Sequence, residues 1–316
     1  MKLAIGIDLG GTNIKGGVVN EEGRVLELHS IPTQAHEGPD SVISRRARLA
    51  GELRGKAPGS LLGMGVGSPG PLDPTDGVIY TTPNMPGWEN YPMKKRLEEK
   101  MRLPVVVEND ANCAALAEYW RGAGQNSHTM ILLTLGTGIG GGIVRNGQLV
   151  NGEHVAAGEI GHMVINFDGP KCGCGNHGCL EAYTGASGIV KRAWEVLEKP
   201  GTVSVLREMA GDDKLGLTPA MISEAAGKGD GVALNVLRET GRLLGVGIVS
   251  LVNIFAPETV ILGGGVSAAG EVLFSSVREE VRRKAMPPGN ERVHIVPAAM
   301  GNSAGVVGAA GLLLRH

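Results

Sequence analysis

The chain opens with a short strand that runs into a glycine-rich turn, Ile7-Asp8-Leu9-Gly10-Gly11-Thr12. The same arrangement returns at Leu133-Thr134-Leu135-Gly136-Thr137-Gly138, and each turn leads into a further strand. Two such units suggest a duplicated domain. Glycine lets backbone N–H groups approach an anion without obstruction by a side chain, so both turns are candidate phosphate sites. Tight hairpins alone would also favour glycine, but a third glycine run at 263–265, again after a predicted strand, weakens that alternative.

The rest of the sequence alternates between apolar, β-branched runs and stretches of helical character, which is typical of an α/β protein. The run at 104–107 is fully apolar, as buried parallel strands tend to be. The glycines at 136–141 match the dinucleotide-binding pattern G-x-G-x-x-G, but a strand follows them where that pattern needs a helix. The predicted strands cover 3–7, 14–20, 24–31, 61–67, 104–107, 130–135, 142–145 and 259–262, and the predicted helices cover 41–56, 93–101, 111–120, 271–284 and 303–314.

Length and charge narrow the class of protein. The 316 residues are enough for two domains, each with its own core. A formal net charge of −2 gives no argument for nucleic acid or an acidic membrane as a partner. The longest apolar stretch, 243–256, is shorter than the roughly 18 residues that would span a bilayer, so it predicts a buried helix. The N-terminal residues do not resemble a signal peptide, and we expect a cytoplasmic protein.

A cluster of metal-ligand residues lies in the middle of the chain. Three of the four cysteines fall within eight positions, and a histidine precedes them. Three thiolates and one imidazole suit a four-coordinate structural zinc. The predicted ligands are His162, Cys172, Cys174 and Cys179. A Cys172–Cys179 disulfide or unliganded thiols are the alternatives, and His177 competes with His162. Glu159 and Glu181 flank the cluster without being needed as ligands, which suggests a platform that presents acceptors to a hydroxylated ligand.

Asp110 is a second candidate for chemistry, because it follows the predicted buried strand and precedes a predicted helix. Two interpretations stay open. Aspartate is a good N-cap residue, so Asp110 could serve only the helix. Ligands of α/β proteins, however, lie at the carboxyl ends of the strands. A carboxylate at that place could accept a hydroxyl proton during phosphoryl transfer to an alcohol, a reaction that otherwise needs positioning and charge neutralisation.

Taken together, these motifs resemble those of the ROK sugar kinases, a family of the actin/hexokinase/Hsp70 superfamily, over essentially the whole chain. Within that family the sequence is most similar to the bacterial ATP-dependent glucokinases, whose Pro-Asn-Leu-Pro-Gly-Trp segment resembles Pro83-Asn84-Met85-Pro86-Gly87-Trp88. The other matching segments are Asp8-Leu9-Gly10-Gly11-Thr12, Thr82-Pro83-Asn84, Glu108-Asn109-Asp110-Ala111-Asn112, Gly136-Thr137-Gly138-Ile139-Gly140-Gly141-Gly142, Gly158-Glu159-Ile160-Gly161-His162 and the knot of Cys172, Cys174 and Cys179.

The resemblance implies phosphorylation of the 6-hydroxyl of glucose by ATP, with Asp110 as the general base. It implies a structural Zn²⁺ and an Mg²⁺ ion near Asp8. His162 would use one ring nitrogen for zinc and the other for sugar. The implied sugar-binding residues are Asn84, Asn109, Asp110, Glu159, His162 and Glu181. The implied ATP-binding residues are Asp8, Gly10, Gly11, Thr12, Thr137 and Gly138 around the phosphates, with Gly264 and Gly265 near the adenosine.

The implied fold is α/β, the two-domain actin-like ATPase (ribonuclease H-like) fold, with an inter-domain cleft that closes on sugar binding. The small domain would comprise 1–109 plus 302–316, and the large domain, 110–301, would carry the zinc knot. The resemblance also implies a homodimer. N-acetylmannosamine, or another hexose or N-acetylhexosamine, is the alternative substrate, and polyphosphate is the alternative donor. A non-catalytic sugar-sensing regulatory protein is the alternative from another class, and the presence of Asp8, the glycine-rich turns and Asp110 argues against it.

Overall fold

The computed structural model describes residues 1–82, 85, 87–153, 157–211 and 216–315. The strands in this part of the chain are β1 (Leu3–Leu9), β2 (Asn13–Asn20), β3 (Val25–Pro32), β4 (Leu61–Ser68), β5 (Leu72–Asp73), β6 (Val78–Ile79), β7 (Tyr91–Pro92), β8 (Val105–Asn109), β9 (Thr129–Leu135), β10 (Ile139–Arg145), β11 (Gln148–Leu149), β12 (Thr259–Gly263) and β13 (His294–Pro297). The α-helices are α1 (Pro39–Lys56), α2 (Met93–Met101), α3 (Asp110–Arg121), α4 (Leu180–Thr184), α5 (Ala186–Leu197), α6 (Leu206–Ala210), α7 (Pro219–Gly227), α8 (Gly231–Phe255), α9 (Glu271–Lys284), α10 (Gly289–Arg292) and α11 (Ala304–Leu314). No described helix combines the length and the hydropathy that crossing a bilayer requires.

The two five-stranded sheets arrange their strands in the same way, each in the sequence third, second, first, fourth and fifth strand. The first has the order β3-β2-β1-β4-β8 and the second the order β11-β10-β9-β12-β13. In the first sheet β1 pairs antiparallel with β2 and parallel with β4, which pairs parallel with β8. In the second sheet β12 pairs parallel with both β9 and β13. The duplication predicted from the two glycine-rich turns is therefore confirmed in the strand order, as is the α/β class.

The chain divides into two compact units. The first comprises Met1–Asn126, Gly142–Gly158 and Ala299–His316, and the second comprises Ser127–Gly141 and Glu159–Ala298. These units differ in extent from the predicted domains, because α3 and the segment after Gly142 belong to the first unit. The predicted division at 109/110 and 301/302 stays a prediction.

In the first unit, α11 packs directly on the sheet because glycines leave room for its backbone. A Cβ on Gly6 of β1 would overlap the carbonyl oxygen of Val306, and one on Gly65 of β4 would overlap that of Ala309. Helices α1 and α2 contribute to the buried apolar cluster that includes β1, β2, β4 and β8. The parallel register aligns Asp8 of β1 with Gly67 of β4, which in turn pairs with Glu108 of β8. Asp8 and the start of α3 therefore lie along one edge of the same sheet.

In the second unit, the register of β9 and β12 aligns two of the glycine-rich segments. Leu262 pairs with Leu133, and Gly263 pairs with Thr134. The turn that follows β9 and the glycine run that follows β12 therefore leave the sheet side by side. Helices α8 and α9 pack closely, since a Cβ on Gly241 would stand 2.6 Å from the backbone oxygen of Leu273.

Candidate functional site

The first glycine-rich turn joins β1 to β2 and is fixed at its base by Thr33. The Gly10 N–H donates to the carbonyl oxygen of Asn13 at 3.0 Å. The buried Thr33 donates its hydroxyl to the Gly10 oxygen at 2.7 Å and its N–H to the Thr12 oxygen at 2.8 Å. Gly11 and Thr12 are exposed at the tip of the turn. Thr33 thus fixes the base of the turn while the tip of the turn is exposed, which suits an anion such as phosphate.

Asp8 lies just before the end of β1, where Gly305 of α11 approaches its carboxylate. A Cβ on Gly305 would stand 2.5 Å from Oδ2 and 2.8 Å from Oδ1 of Asp8. Burial raises the pKa of Asp8, and the positive charges of Lys15 and Arg46 oppose that rise. The sequence reasoning missed Gly305, because a glycine in a helix rich in alanine and glycine carries no mark of the residue that it faces.

The second chemical centre begins where β8 runs into α3. The N-cap of α3 is Asn109, whose Oδ1 accepts from the N–H groups of Ala111 at 2.9 Å and Asn112 at 3.2 Å. Asp110 is the first residue of the helix, and its Oδ1 accepts from the Ala111 N–H at 2.8 Å. The interpretation of Asp110 as the N-cap is therefore wrong, since Asn109 has that role. Asp110 lies half-buried at the carboxyl end of a parallel strand, where α/β proteins place ligands.

The second glycine-rich turn, in the second unit, is in contact with Glu181. The Gly136 N–H donates to the Gly138 oxygen at 2.9 Å, and Thr137 is exposed at the tip. Oε2 of Glu181 accepts from the N–H of Ile139 at 2.8 Å. A Cβ on Gly138 would overlap this same oxygen, so only glycine lets the carboxylate lie there. A predicted sugar-binding carboxylate and a predicted phosphate-binding turn are therefore neighbours.

The third glycine run packs against the end of β9. Gly264 has a φ of 84°, which a side chain would strain, and a Cβ there would stand 2.7 Å from the backbone nitrogen of Leu135. The Ser267 hydroxyl donates to the Gly264 oxygen at 2.7 Å. Gly265 is exposed, and a Cβ built on it would meet no atom of the described residues within 4 Å. The predicted adenosine-binding glycines thus lie next to the predicted phosphate-binding turn.

The four predicted zinc ligands come together. One ligand atom from each of His162, Cys172, Cys174 and Cys179 lies within 4.8 Å of all the others. The alternative of a Cys172–Cys179 disulfide is wrong, since both cysteines are free. The sulfurs of Cys174 and Cys179 are 3.7 Å apart. Two Zn–S bonds of about 2.3 Å at a tetrahedral angle would place two sulfurs about 3.8 Å apart. The residues therefore fit a structural zinc ion, and His162 rather than His177 belongs to the group.

The protonation of these thiols also depends on their surroundings. Burial raises the pKa of Cys179 to about 12, whereas a backbone hydrogen bond from Asn176 lowers the pKa of Cys174. Zinc takes its sulfur ligands as thiolates, so a metal would have to offset the preference of Cys179 for the protonated form.

His162 faces two ways, as the resemblance implies. Its Nδ1 lies 3.7 Å from Sγ of Cys172, and its Nε2 lies 3.9 Å from Oε2 of Glu159. Glu159 directly precedes the 3₁₀ turn Ile160–His162, and half of its side chain is exposed. One ring nitrogen is therefore directed at the cysteines while the other is directed at an exposed carboxylate. The remaining predicted sugar-binding residue, Asn84, lies outside the described residues.

A protein-family model matches almost the whole chain. The family described as "ROK family" matches residues 4–316. A glucokinase of Halalkalibacterium halodurans is 39% identical over 99% of this chain and 95% of its own length.

Solved structures agree in fold over the same length. A ROK family glucokinase from Streptomyces griseus, solved in complex with glucose and AMPPNP, has a TM-score of 0.84 and 36% identity, and the match covers 99% of this chain and 100% of that one. A ROK hexokinase from Thermus thermophilus has a TM-score of 0.81 and 35% identity, with 98% of this chain and 96% of that one covered. The predicted two-domain actin-like fold is confirmed by these structures.

Proposed function

The chain belongs to the ROK family of sugar kinases, and we propose that it transfers the γ-phosphoryl group of ATP to the 6-hydroxyl of glucose. One observation carries this proposal, the full-length similarity to a glucokinase that was solved with both glucose and the ATP analogue AMPPNP. The presence of the candidate base and of three glycine-rich segments favours a kinase over a non-catalytic sugar sensor.

We propose that Asp110 is the general base. The O6–H bond of glucose breaks and its proton passes to the Asp110 carboxylate. O6 forms a bond to the γ-phosphorus, and the bond from that phosphorus to the β,γ-bridging oxygen breaks, so that ADP leaves. Proton transfer of this kind contributes about 10²- to 10⁴-fold to the rate. The position of Asp110 at the end of β8, with Asn109 capping the helix, supports this role.

The other sugar hydroxyls are proposed to bind Asn84, Asn109, Glu159, His162 and Glu181. Carboxylates and an imidazole nitrogen can each accept a hydrogen bond from a hydroxyl group. The Nε2 edge of His162 beside Glu159 supports this assignment, because Nδ1 is directed at the cysteines. The proposal requires these side chains and Asp110 to act on the same glucose molecule.

The ATP phosphates are proposed to lie against the backbone of Gly10, Gly11 and Thr12 and of Thr137 and Gly138, with the adenosine near Gly264 and Gly265. Exposed turns with fixed bases support this assignment. Mg²⁺, when bound, supplies charge neutralisation at the phosphate oxygens. We propose that Asp8 holds it through water.

Zinc is proposed to be structural. Its four candidate ligands leave no position open for substrate, so the metal would fix His162 in place rather than take part in the reaction.

The test is ADP release with Mg-ATP against a panel of glucose, N-acetylmannosamine, N-acetylglucosamine, mannose and fructose. We expect a saturable preference for glucose. Preference for an N-acetyl sugar would keep the mechanism and overturn the substrate. No release with any sugar, while calorimetry still shows sugar binding, would support the regulatory alternative.

A homodimer and a cytoplasmic location are further proposals, and the homodimer rests on the family resemblance. Light scattering coupled to size-exclusion chromatography tests the first, since a dimer should have about twice the chain mass of 32.7 kDa.

A further inference from the structure

We propose that Glu108 is a positioning residue for the phosphoryl acceptor, acting through a three-membered side-chain network with Asn112 and Asn151. The inference rests on the proposed function, because it concerns the residues next to the proposed base. Glu108 and Asn112 are 5% and 6% exposed, and Asn151 is half-buried. All three residues belong to the first unit.

Glu108 uses both of its carboxylate oxygens within the network. Oε1 accepts from the N–H of Asn109 at 2.8 Å and from Nδ2 of Asn112 at 3.0 Å. Oε2 accepts from Nδ2 of Asn151 at 2.8 Å. Nδ2 of Asn112 also lies 3.3 Å from Oδ1 of Asn151, which closes the triangle. Hydrogen bonds to an ionised carboxylate are stronger than those between neutral groups, so this triangle is a rigid support.

The support acts directly on the residues that precede and begin α3. Asn109 is held at its backbone N–H by Glu108, and its side-chain Oδ1 is held by the N–H groups of Ala111 and Asn112. The side-chain oxygen of Asn109 is thus occupied by backbone N–H groups, whereas its Nδ2 can donate a hydrogen bond to a ligand. The main chain between Asn109 and Ala111 is thereby fixed, and Asp110 is the residue in between.

Asn151 connects the start of α3 to a second segment of the first unit. It belongs to the stretch Gly142–Gly158, which ends immediately before the proposed sugar ligand Glu159 in the sequence. The carbonyl oxygen of Asn151 accepts from the N–H of Ala157 at 3.2 Å, so Asn151 also constrains the end of that stretch. Because one glutamate holds both Asn109 and Asn151, it ties the start of α3 to a segment of the same unit that is far away in the sequence.

The donor and acceptor pattern makes the network sensitive to a single atom. In Glu108→Gln the new Nε2 would face Nδ2 of Asn151, donor against donor. Rotating the amide of Asn151 would move this conflict to Asn112, and rotating Asn112 as well would set two acceptors against each other. No combination of amide rotations satisfies the triangle, and an unsatisfied buried polar group is costly.

The test uses a reciprocal exchange. Glu108→Gln should lower kcat/KM for glucose about 10- to 100-fold and leave KM for Mg-ATP within about twofold. Asn151→Asp alone should also lower kcat/KM for glucose, because it places a second carboxylate against Glu108. The double variant Glu108→Gln/Asn151→Asp restores every donor–acceptor pair at the same total charge, and its kcat/KM for glucose should return to within about threefold of the wild type.

A matched control separates positioning from stability. Glu280 is another buried carboxylate, 3% exposed, and it pairs with Arg283 and Lys284 in the second unit. Glu280→Gln should lower the melting temperature without changing kcat/KM for glucose. Wild-type kinetics in Glu108→Gln, or no rescue in the double variant, would overturn the positioning role. An inactive wild type would instead overturn the proposed kinase function.

Discussion

Substituting Gly305 tests the role of Asp8 without touching any residue assigned to a substrate. A Cβ at position 305 would stand 2.5 Å from Oδ2 and 2.8 Å from Oδ1 of Asp8. Ordinary contacts between non-bonded heavy atoms are about 3.5 Å, so the Asp8 carboxylate has to move by about 1 Å in Gly305→Ala. The carboxylate is the free end of a side chain, and it can yield while β1 keeps its pairing with β2 and β4.

The displacement should be expressed in turnover rather than in folding. Phosphoryl transfer depends on positioning and charge neutralisation, and an error of about 1 Å in a catalytic constellation can cost about 100-fold. We therefore expect kcat to fall about 10- to 100-fold, or KM for Mg-ATP to rise by a similar factor, which corresponds to about 1.4–2.7 kcal/mol. Position 305 is in α11, where alanine is favoured over glycine by about 1 kcal/mol, so the melting temperature should change little.

The assay is steady-state ADP release with each substrate varied in turn, together with calorimetric glucose binding in the absence of nucleotide. Glucose binding should be unchanged. Gly51→Ala in α1 is the matched control, because a Cβ there meets open space, and it should have wild-type kinetics. Combining Gly305→Ala with Asp8→Asn should cost no more than Asp8→Asn alone, since both act through one carboxylate. Wild-type kcat and KM in Gly305→Ala would refute the placement of Asp8 in the nucleotide site.

Four further predictions test other parts of the molecule. Asp110→Asn should keep glucose binding by calorimetry but lower kcat about 10²- to 10⁴-fold, and near-normal turnover would remove Asp110 from the mechanism. Cys174→Ser should lose zinc by elemental analysis and lower the melting temperature, whereas Cys113→Ser should keep its metal content. Glu181→Gln should weaken glucose binding more than ATP binding, and equal loss of both would indicate a folding defect. Asp230→Ala should cost about 1 kcal/mol of unfolding free energy at pH 7, because Asp230 caps α8. Burial acts to raise the pKa of Asp230, but hydrogen bonds, among them those from Ala233 and Ser204, hold it below its usual 3.8. The difference from wild type in urea melts should therefore shrink below pH 3.8 and be lost as the pH falls through the lowered pKa of the folded state.

Most of the fold could be predicted because its elements carry local signals. The predicted helices at 93–101 and 271–284 coincide with α2 and α9, and the predicted strands at the two turns agree with β1, β2 and β9 to within about two residues. Asn146-Gly147, a dipeptide typical of tight hairpins, joins the antiparallel β10 and β11 with positive φ values of 50° and 82°. Each of these features depends on side chains that are neighbours in sequence.

Helix α8 was predicted only in part and strand β13 was not predicted, because the cause of each is not local. Helix α8 begins at Gly231, whereas the apolar stretch predicted helix only over 243–256. The glycines of α8 lower its helix propensity. Glycine is needed at Gly245 because α9 approaches closely there, and a Cβ on this residue would stand 2.6 Å from Cβ of Glu280. Strand β13 has only four residues and ends in proline, and it exists because β12 offers it a parallel edge.

The candidate site also has parts that the sequence predicts and parts that it does not. The zinc knot could be predicted, since ligand type and spacing alone specify it, and the four ligand atoms do lie together. The contacts of Asp8 with Gly305 and of Glu108 with Asn151 could not be predicted, because each joins segments that only the completed fold brings together. The assignment of the helix cap to Asn109 rather than Asp110 depended on backbone angles within one residue, which sequence patterns do not resolve.

The contacts of Glu181 bear on the role of the proposed zinc ion. Oε1 of Glu181 lies 3.6 Å from Sγ of Cys172, and Oε2 accepts from Ile139 directly after the second glycine-rich turn. A single carboxylate thus contacts both a cysteine of the metal cluster and the end of the proposed phosphate-binding turn, and Nδ1 of His162 lies 3.7 Å from the same cysteine sulfur. An acceptor for a sugar hydroxyl is useful only if it is held still, and a side chain in a mobile loop would lose entropy on each binding event. Four metal ligands would fix the chain that leads into α4 before glucose arrives, so the proposed zinc would act on affinity for sugar through the position of Glu181 alone.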